Sequence, residues 1–222
     1  MRDLEEETTM TRYGMVINLD RCVGCEACAV GCTVQHGLPR DVRWSSVKQL
    51  EQGTYPQVAV LDLPLLCMHC AKPPCVAACP QDATHQRDDG IVYVEKDKCI
   101  GCGTCATACP YGARHLVSDV ASNHANGGQT AFEDQVFPAH QAMTMEKCTF
   151  CSDRVDAGEE PICVRTCVSN ARVFGDLDDP ASEVAKAAEN AQPLLADEGT
   201  DPSVLYVTSS PISIDDVFSL GA

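Results

Sequence analysis

The chain has 222 residues, enough for one large domain or two small ones, with 16 cysteines and only 5% aromatic residues. Its net charge of −16 offers no basic footprint for phosphate, which argues against a nucleic acid partner. Its longest apolar run, residues 58–68, is broken by Asp62 and Pro64 and falls short of the ~18 residues that span a bilayer. No direct membrane span is expected, and with so few aromatic residues something other than ring packing must hold the fold.

Residues 1–12 form an acidic extension without the apolar stretch of a signal peptide and without a twin-arginine pair. "YGMVINLD", residues 13–20, reads as a strand leading into a first cysteine group: Cys22, Cys25, Cys28 and Cys32. Residues 40–64 read as strands with a turn at Gly53, and Trp44 among them is expected in the core or at a subunit interface. The second group is Cys67, Cys70, Cys75 and Cys79. A turn at Asp88, Asp89 and Gly90 then leads into a strand at 91–94. The third group is Cys99, Cys102, Cys105 and Cys109. After a long segment, 117–145, comes the fourth: Cys148, Cys151, Cys163 and Cys167. "ARVFGD" is a strand, residues 179–190 a short helix opening at Pro180, and "SVLYVTS" a late strand. The last dozen residues are expected along a partner.

Sixteen thiols allow disulfides, zinc or iron–sulfur clusters, and spacing separates them. Groups one and three read C-x2-C-x2-C-x3-C, the bacterial ferredoxin run, and Pro110 completes it in group three. Group two stretches one interval to four residues, and group four stretches one to eleven. Zinc favours separate C-x2-C pairs, and cysteines so close in sequence face one centre rather than separate disulfide partners. Four 4Fe–4S clusters are expected. A C-x2-C-x2-C loop curls around one cluster, with Gly24, Gly101 and Gly103 letting the backbone approach. The fourth cysteine is expected on the first turn of a departing helix, pointing at the other cluster of a pair.

Groups two and three are neighbours joined by a strand-turn-strand, so they exchange their fourth cysteines; groups one and four then pair across the chain. The expected fold is α+β, a nested double dicluster ferredoxin in which one two-cluster module is inserted in another. Residues 13–56 and 146–180 form the outer module and 57–116 the inserted one. The insertion 117–145 is a partner-docking loop, and 181–222 a C-terminal extension. The ligand sets are Cys22, Cys25, Cys28 and Cys167; Cys148, Cys151, Cys163 and Cys32; Cys67, Cys70, Cys75 and Cys109; and Cys99, Cys102, Cys105 and Cys79. His69 has four cysteines around it already and is expected to pack rather than ligate. Arg21, Lys72, Lys98, Lys147, Arg154 and Arg165 adjoin or interrupt the groups, where cations raise the potential of an anionic cluster.

The order of the groups, with "CMHCAKPPC", "CIGCGTCATACPYGAR", "KCTFCSDRVDAGEEPICVRTC" and "ARVFGDLDDP", resembles the iron–sulfur electron-transfer subunit of DMSO reductase family molybdenum or tungsten oxidoreductases. The resemblance covers residues 13–208. It implies a non-catalytic subunit that relays single electrons between a molybdopterin catalytic subunit and a quinone-linked membrane subunit or soluble carrier. It also implies an extracytoplasmic site reached by export with a twin-arginine partner; cytoplasmic retention is the alternative. Three features depart from the family pattern: Val168 where many relatives carry proline, the length of 117–145, and the acidic first twelve residues. The competing functions are a polyferredoxin-type subunit of a formate dehydrogenase or hydrogenase complex, and a zinc-stabilised interaction protein.

Overall fold

The computed structural model describes residues 11–124 and 128–220. Among these residues ten strands run in chain order: β1 (Tyr13–Asn18), β2 (Ser46–Thr54), β3 (Gln57–Leu65), β4 (Thr84–Gln86), β5 (Val92–Val94), β6 (His115–Val117), β7 (Thr144–Glu146), β8 (Arg172–Asp176), β9 (Gln192–Pro193) and β10 (Val204–Val207). The helices are short: α1 (Ala27–His36), α2 (Pro74–Ala77), α3 (Thr104–Thr107), α4 (Glu133–Val136), α5 (Ser152–Asp156), α6 (Ile162–Arg165), α7 (Glu183–Ala188) and α8 (Ile214–Ser219). This mixture of small sheets and short helices is the expected α+β class.

The main sheet has the order β8-β1-β10-β9. Its centre, β1, pairs antiparallel with β8 and parallel with β10, and Met15 and Ile17 are fully buried there, as is Tyr206 on β10. Burial on both faces explains why β1 reads as a continuous apolar run. Three two-stranded sheets complete the framework: β2-β3, β4-β5 and β6-β7, all antiparallel. The β4-β5 hairpin turns at Asp88–Gly90 as expected, with Arg87 and Ile91 bonded across it.

Other expectations shift. The β2-β3 hairpin pairs Gly53 with Val58 and Thr54 with Gln57, so the turn is Tyr55–Pro56, not Gly53. Position 56, where the sequence reading divides outer from inserted module, falls in this turn. The helix expected from Pro180 begins at Glu183, because Ser182 is its cap: its Oγ accepts the Ala185 N–H at 3.1 Å. The C-terminal residues pack on their own chain. Ile214 and Val217 of α8 are buried, and Lys48 Nζ, on β2, donates to the Phe218 carbonyl at 2.6 Å.

The segment 117–145 is not a bare surface loop. Its ends are β6 and β7, with Val117 and Met145 buried. Its middle lies over the C-terminal end of α1. Arg40 donates to the Ser122 carbonyl through Nε and Nη2 at 2.9 and 2.7 Å, and Asn123 Nδ2 donates to the Leu38 carbonyl at 3.0 Å. Val136 packs on Gly37, and Phe137 is buried. The buried Glu133 carboxylate accepts from Ser122 Oγ, Thr130 N and Thr130 Oγ1, and Asn123 N. Phe132 and Met143 stay exposed. Residues 125–127 of this segment, and residues 1–10 of the acidic extension, lie outside the described residues.

Candidate iron–sulfur centres

Each cysteine group is a tight loop followed by a short helix. The residue two places after the first cysteine adopts left-handed backbone in all four: Gly24 (φ 63°), His69 (φ 43°), Gly101 (φ 65°) and Phe150 (φ 54°). At Gly24 a Cβ would stand 2.6 Å from Asp62 Oδ1, and at Gly101 2.3 Å from the Met143 carbonyl oxygen, so these loops have no room for a side chain. His69 and Phe150 do carry side chains in this costly conformation. Packing holds them there: the two rings stack with centroids 3.8 Å apart, and Phe150 meets Phe174 edge-on at 5.3 Å. His69 Nδ1 accepts the Val92 N–H at 3.0 Å, and burial pulls its pKa well below the ordinary value. His69 therefore packs, and ties the loops of groups two and four together.

The expected place of the fourth cysteine needs correction. It is the third cysteine that sits on the helix: Cys28 on α1, Cys75 on α2, Cys105 on α3 and Cys163 on α6. Cys79, Cys109 and Cys167 lie two residues beyond their helices, and Cys32 alone lies one turn further along the same helix as Cys28. Pro80 and Pro110 disfavour helical backbone at Cys79 and Cys109, whereas no proline follows Cys32 and α1 runs on to His36. After Cys79, Cys109 and Cys167, the residue three places on is left-handed: Asp82, Gly112 and Asn170. That turn brings the next N–H back to the thiol, with Ala83 to Cys79 Sγ and Ala171 to Cys167 Sγ both at 3.2 Å.

The helices pack in pairs, α1 on α6 and α2 on α3, which brings fourth cysteines to foreign groups. Cys22, Cys25, Cys28 and Cys167 line one small hollow. Cys99, Cys102, Cys105 and Cys79 line another. Cys32 lies among Cys148, Cys151 and Cys163, and Cys109 among Cys67, Cys70 and Cys75. None of the sixteen is in a disulfide. Burial pushes Cys70 and Cys151 up to about 12 and raises Cys32, Cys148 and Cys163, so ligation must expel protons from these sites. At Cys79 and Cys167 burial is outweighed by N–H donors, and the pKa is lowered.

This donor chemistry fits iron–sulfur clusters. Zinc favours separate C-x2-C pairs rather than runs of three closely spaced cysteines, as in groups one and three. Four thiols spread around a hollow suit a cage of irons, each taking one sulfur. Two buried guanidinium nitrogens, Arg114 Nη2 and Arg172 Nη2, have no hydrogen-bond partner among the described residues and border these thiols, as donors to cluster sulfur would.

Of the six cations singled out in the sequence, only Lys147 is buried beside thiols. Arg21, Lys72 and Arg165 are exposed, Lys98 pairs with Glu95 at 2.7 Å and Arg154 with Glu159 at 2.7 Å. The sequence reading missed Arg114 and Arg172, both buried. A signal existed: each is the arginine of an Ala-Arg pair, five residues after Cys109 and Cys167. It also missed His36, at the end of α1, whose Nε2 stands 3.1 Å from Cys151 Sγ. Burial lowers the pKa of His36, and its ring leans on Trp44, so Trp44 is core. His140 fixes this corner, donating from Nε2 to the His36 carbonyl at 2.8 Å while Nδ1 faces the buried Glu146 carboxylate at 2.9 Å.

Comparison with known proteins identifies the family. The 4Fe-4S dicluster domain family matches residues 58–125 and 133–177, which hold groups two, three and four. A putative dimethyl sulfoxide reductase iron–sulfur subunit of Halobacterium salinarum is 40% identical, over 89% of this chain and 79% of the relative. A tetrathionate reductase subunit of Salmonella typhimurium is 39% identical, over 93% and 74%. The arsenate respiratory reductase iron–sulfur subunit of a Shewanella species is 37% identical, over 89% and 97%. No helix among the described residues is long and apolar enough to cross a membrane. The chain belongs to the 4Fe–4S dicluster family, as a non-catalytic iron–sulfur electron-transfer subunit of a DMSO reductase family oxidoreductase.

Proposed function

We propose that the sixteen cysteines bind four clusters as four exchanged sets. The first set is Cys22, Cys25, Cys28 and Cys167; the second Cys148, Cys151, Cys163 and Cys32; the third Cys67, Cys70, Cys75 and Cys109; the fourth Cys99, Cys102, Cys105 and Cys79. The observation that carries the reading is the sharing of hollows: Cys167 lies with group one and Cys79 with group three. The pairing of α1 with α6 and of α2 with α3 supports a nested double ferredoxin, with the β2-β3 hairpin as the link between modules.

Bound there, the clusters supply one-electron carriers. The protein's part is to hold, space and shield them. The second set is wholly buried and the third nearly so, while the first and fourth each include an exposed cysteine, Cys25 and Cys102. Those two sets therefore face the outside at opposite ends of the relay, suited to one partner each. The partners we propose are a molybdopterin catalytic subunit at one end and a membrane anchor or soluble carrier at the other. Phe132 and Met143, exposed on 117–145, are the candidate docking residues of that segment. A polyferredoxin serving a formate dehydrogenase or hydrogenase is the reading these relatives displace. Export with a twin-arginine partner completes the proposal.

Iron and acid-labile sulfide analysis of the anaerobically purified chain tests it. Four irons and four sulfides per cluster, for four clusters, are expected. Zinc without sulfide, or iron for only two clusters, would contradict it.

A further inference from the structure

Arg114, Lys147 and Arg172 are the only buried lysines or arginines among the described residues, with 6%, 2% and 4% of their surface exposed. None pairs with a carboxylate among those residues. An ammonium or guanidinium kept from water needs an anion nearby, and each of these finds thiols instead. Their positions are not equivalent. Arg172 lies against Cys28 of the first set and Cys163 of the second, and lines the hollow of the first. Lys147 stands between Cys148 of the second set and Cys67 and Cys75 of the third; its Nζ donates to the carbonyls of Val92 and Cys148. Arg114 lies against Cys75 of the third set and near Cys105 of the fourth, and Nη1 donates to Thr84 Oγ1 at 3.2 Å. Sets and cations thus alternate: first, Arg172, second, Lys147, third, Arg114, fourth.

We propose that these three residues are gap cations of the relay, each holding up the reduction potential of both clusters it separates. The inference rests on the ligand sets proposed above. Arg172 and Arg114 occupy equivalent places in the two modules, each five residues after a fourth-position cysteine, so each serves the gap within its own module. Lys98 holds the matching place before Cys99 but is exposed and paired with Glu95, so Lys147 alone of the two is buried, and it serves the gap between modules. One positive charge in a poorly solvated gap favours an added electron on either side and weakens the repulsion between two reduced neighbours. The expected signature is therefore pairwise and overlapping. Removing Lys147 lowers the potentials of the second and third clusters, removing Arg172 those of the first and second, and removing Arg114 those of the third and fourth.

The test is an EPR-monitored redox titration of the holoprotein in its complex. Signals are first assigned to sets with Cys25→Ser, Cys151→Ser, Cys70→Ser and Cys102→Ser. Lys147→Met should retain full iron and shift the reduced-to-oxidised ratio of the second and third clusters at least tenfold, about 59 mV for a one-electron couple, with the outer two moving less. Lys147→Arg should restore both. Arg172→Gln and Arg114→Gln carry the same pairwise test if Lys147→Met loses iron. A full complement of clusters in which one variant shifts a single potential, shifts all four alike, or shifts none would overturn the proposal while leaving the ligand sets intact. Cys151→Ser altering the signal that Cys25→Ser removes would instead refute the sets.

Discussion

Gly101→Ala is the sharpest single perturbation of a cluster loop, because Gly103→Ala two residues away is its internal control. Both glycines have left-handed backbone, φ 65° and 76°. An alanine at either position bears the strain of that conformation, about 1–2 kcal/mol. At Gly103 no atom of the described residues lies within 4 Å of an added Cβ, so that strain is the only destabilisation the surrounding chain adds. At Gly101 the Cβ would stand 2.3 Å from the Met143 carbonyl oxygen and 3.3 Å from Leu116 Cδ1. The carbonyl is backbone between β6 and β7 and cannot rotate away, so overpacking adds about 1–3 kcal/mol. The two variants should therefore differ by about 2 kcal/mol, or about 4–8 °C in the melting midpoint at this chain length. The assay is thermal unfolding of both holoproteins, followed by circular dichroism and by loss of cluster absorbance, with EPR of the fourth cluster alongside. Gly101→Ala should also disturb that cluster's signal more than Gly103→Ala does, since only there does the clash with the Met143 carbonyl displace the loop that carries Cys99 and Cys102. Equal melting of the two variants would refute the argument from close approach.

Glu133 gives the segment 117–145 a pH dependence. The Thr130 N–H, foremost, with the Ser122 and Thr130 hydroxyls holds its carboxyl at about 2, against burial that raises it, from an ordinary value of about 4.5. A folded pKa below the unfolded one stabilises above about pH 4.5 and loses that stabilisation as pH falls toward 2. Limited proteolysis within 117–145 should accelerate across that window in the native chain, whereas Glu133→Gln should be cut readily at neutral pH; equal resistance of both at neutral pH would show the contacts to be idle. Phe132→Ser combined with Met143→Ser should leave iron content unchanged and weaken recovery of the catalytic subunit on co-purification; full stoichiometry would remove the docking role from this face.

The cysteine groups were legible because covalent reach fixes the spacing of thiols around a cluster, and no packing detail changes it. Strand β1 and the β4-β5 hairpin were legible for the same local reasons, an apolar run and an Asp-Gly turn. The positions of the cysteines on their helices were not, since the fourth cysteine is placed by the residues after it: Pro80, Pro110 and the left-handed turns at Asp82, Gly112 and Asn170. Arg114 and Arg172 escaped because charge adjacent to a motif in sequence says little about which cations the fold buries; five of the six adjacent ones point outward or are ion-paired. The anchoring of the insertion was not legible, because Arg40 holds the Ser122 carbonyl and Asn123 the Leu38 carbonyl through contacts more than eighty residues apart in sequence, while Glu133 ties the segment to itself.

The exchange of fourth cysteines is the central claim, and Cys32→Ser tests it most directly. Cys32 shares a helix with Cys28 but lies among Cys148, Cys151 and Cys163. EPR spectra of Cys32→Ser, Cys25→Ser and Cys151→Ser should show Cys32→Ser altering the same signal as Cys151→Ser and sparing the one that Cys25→Ser removes. If Cys32→Ser and Cys25→Ser instead alter one common signal, the nested exchange is wrong.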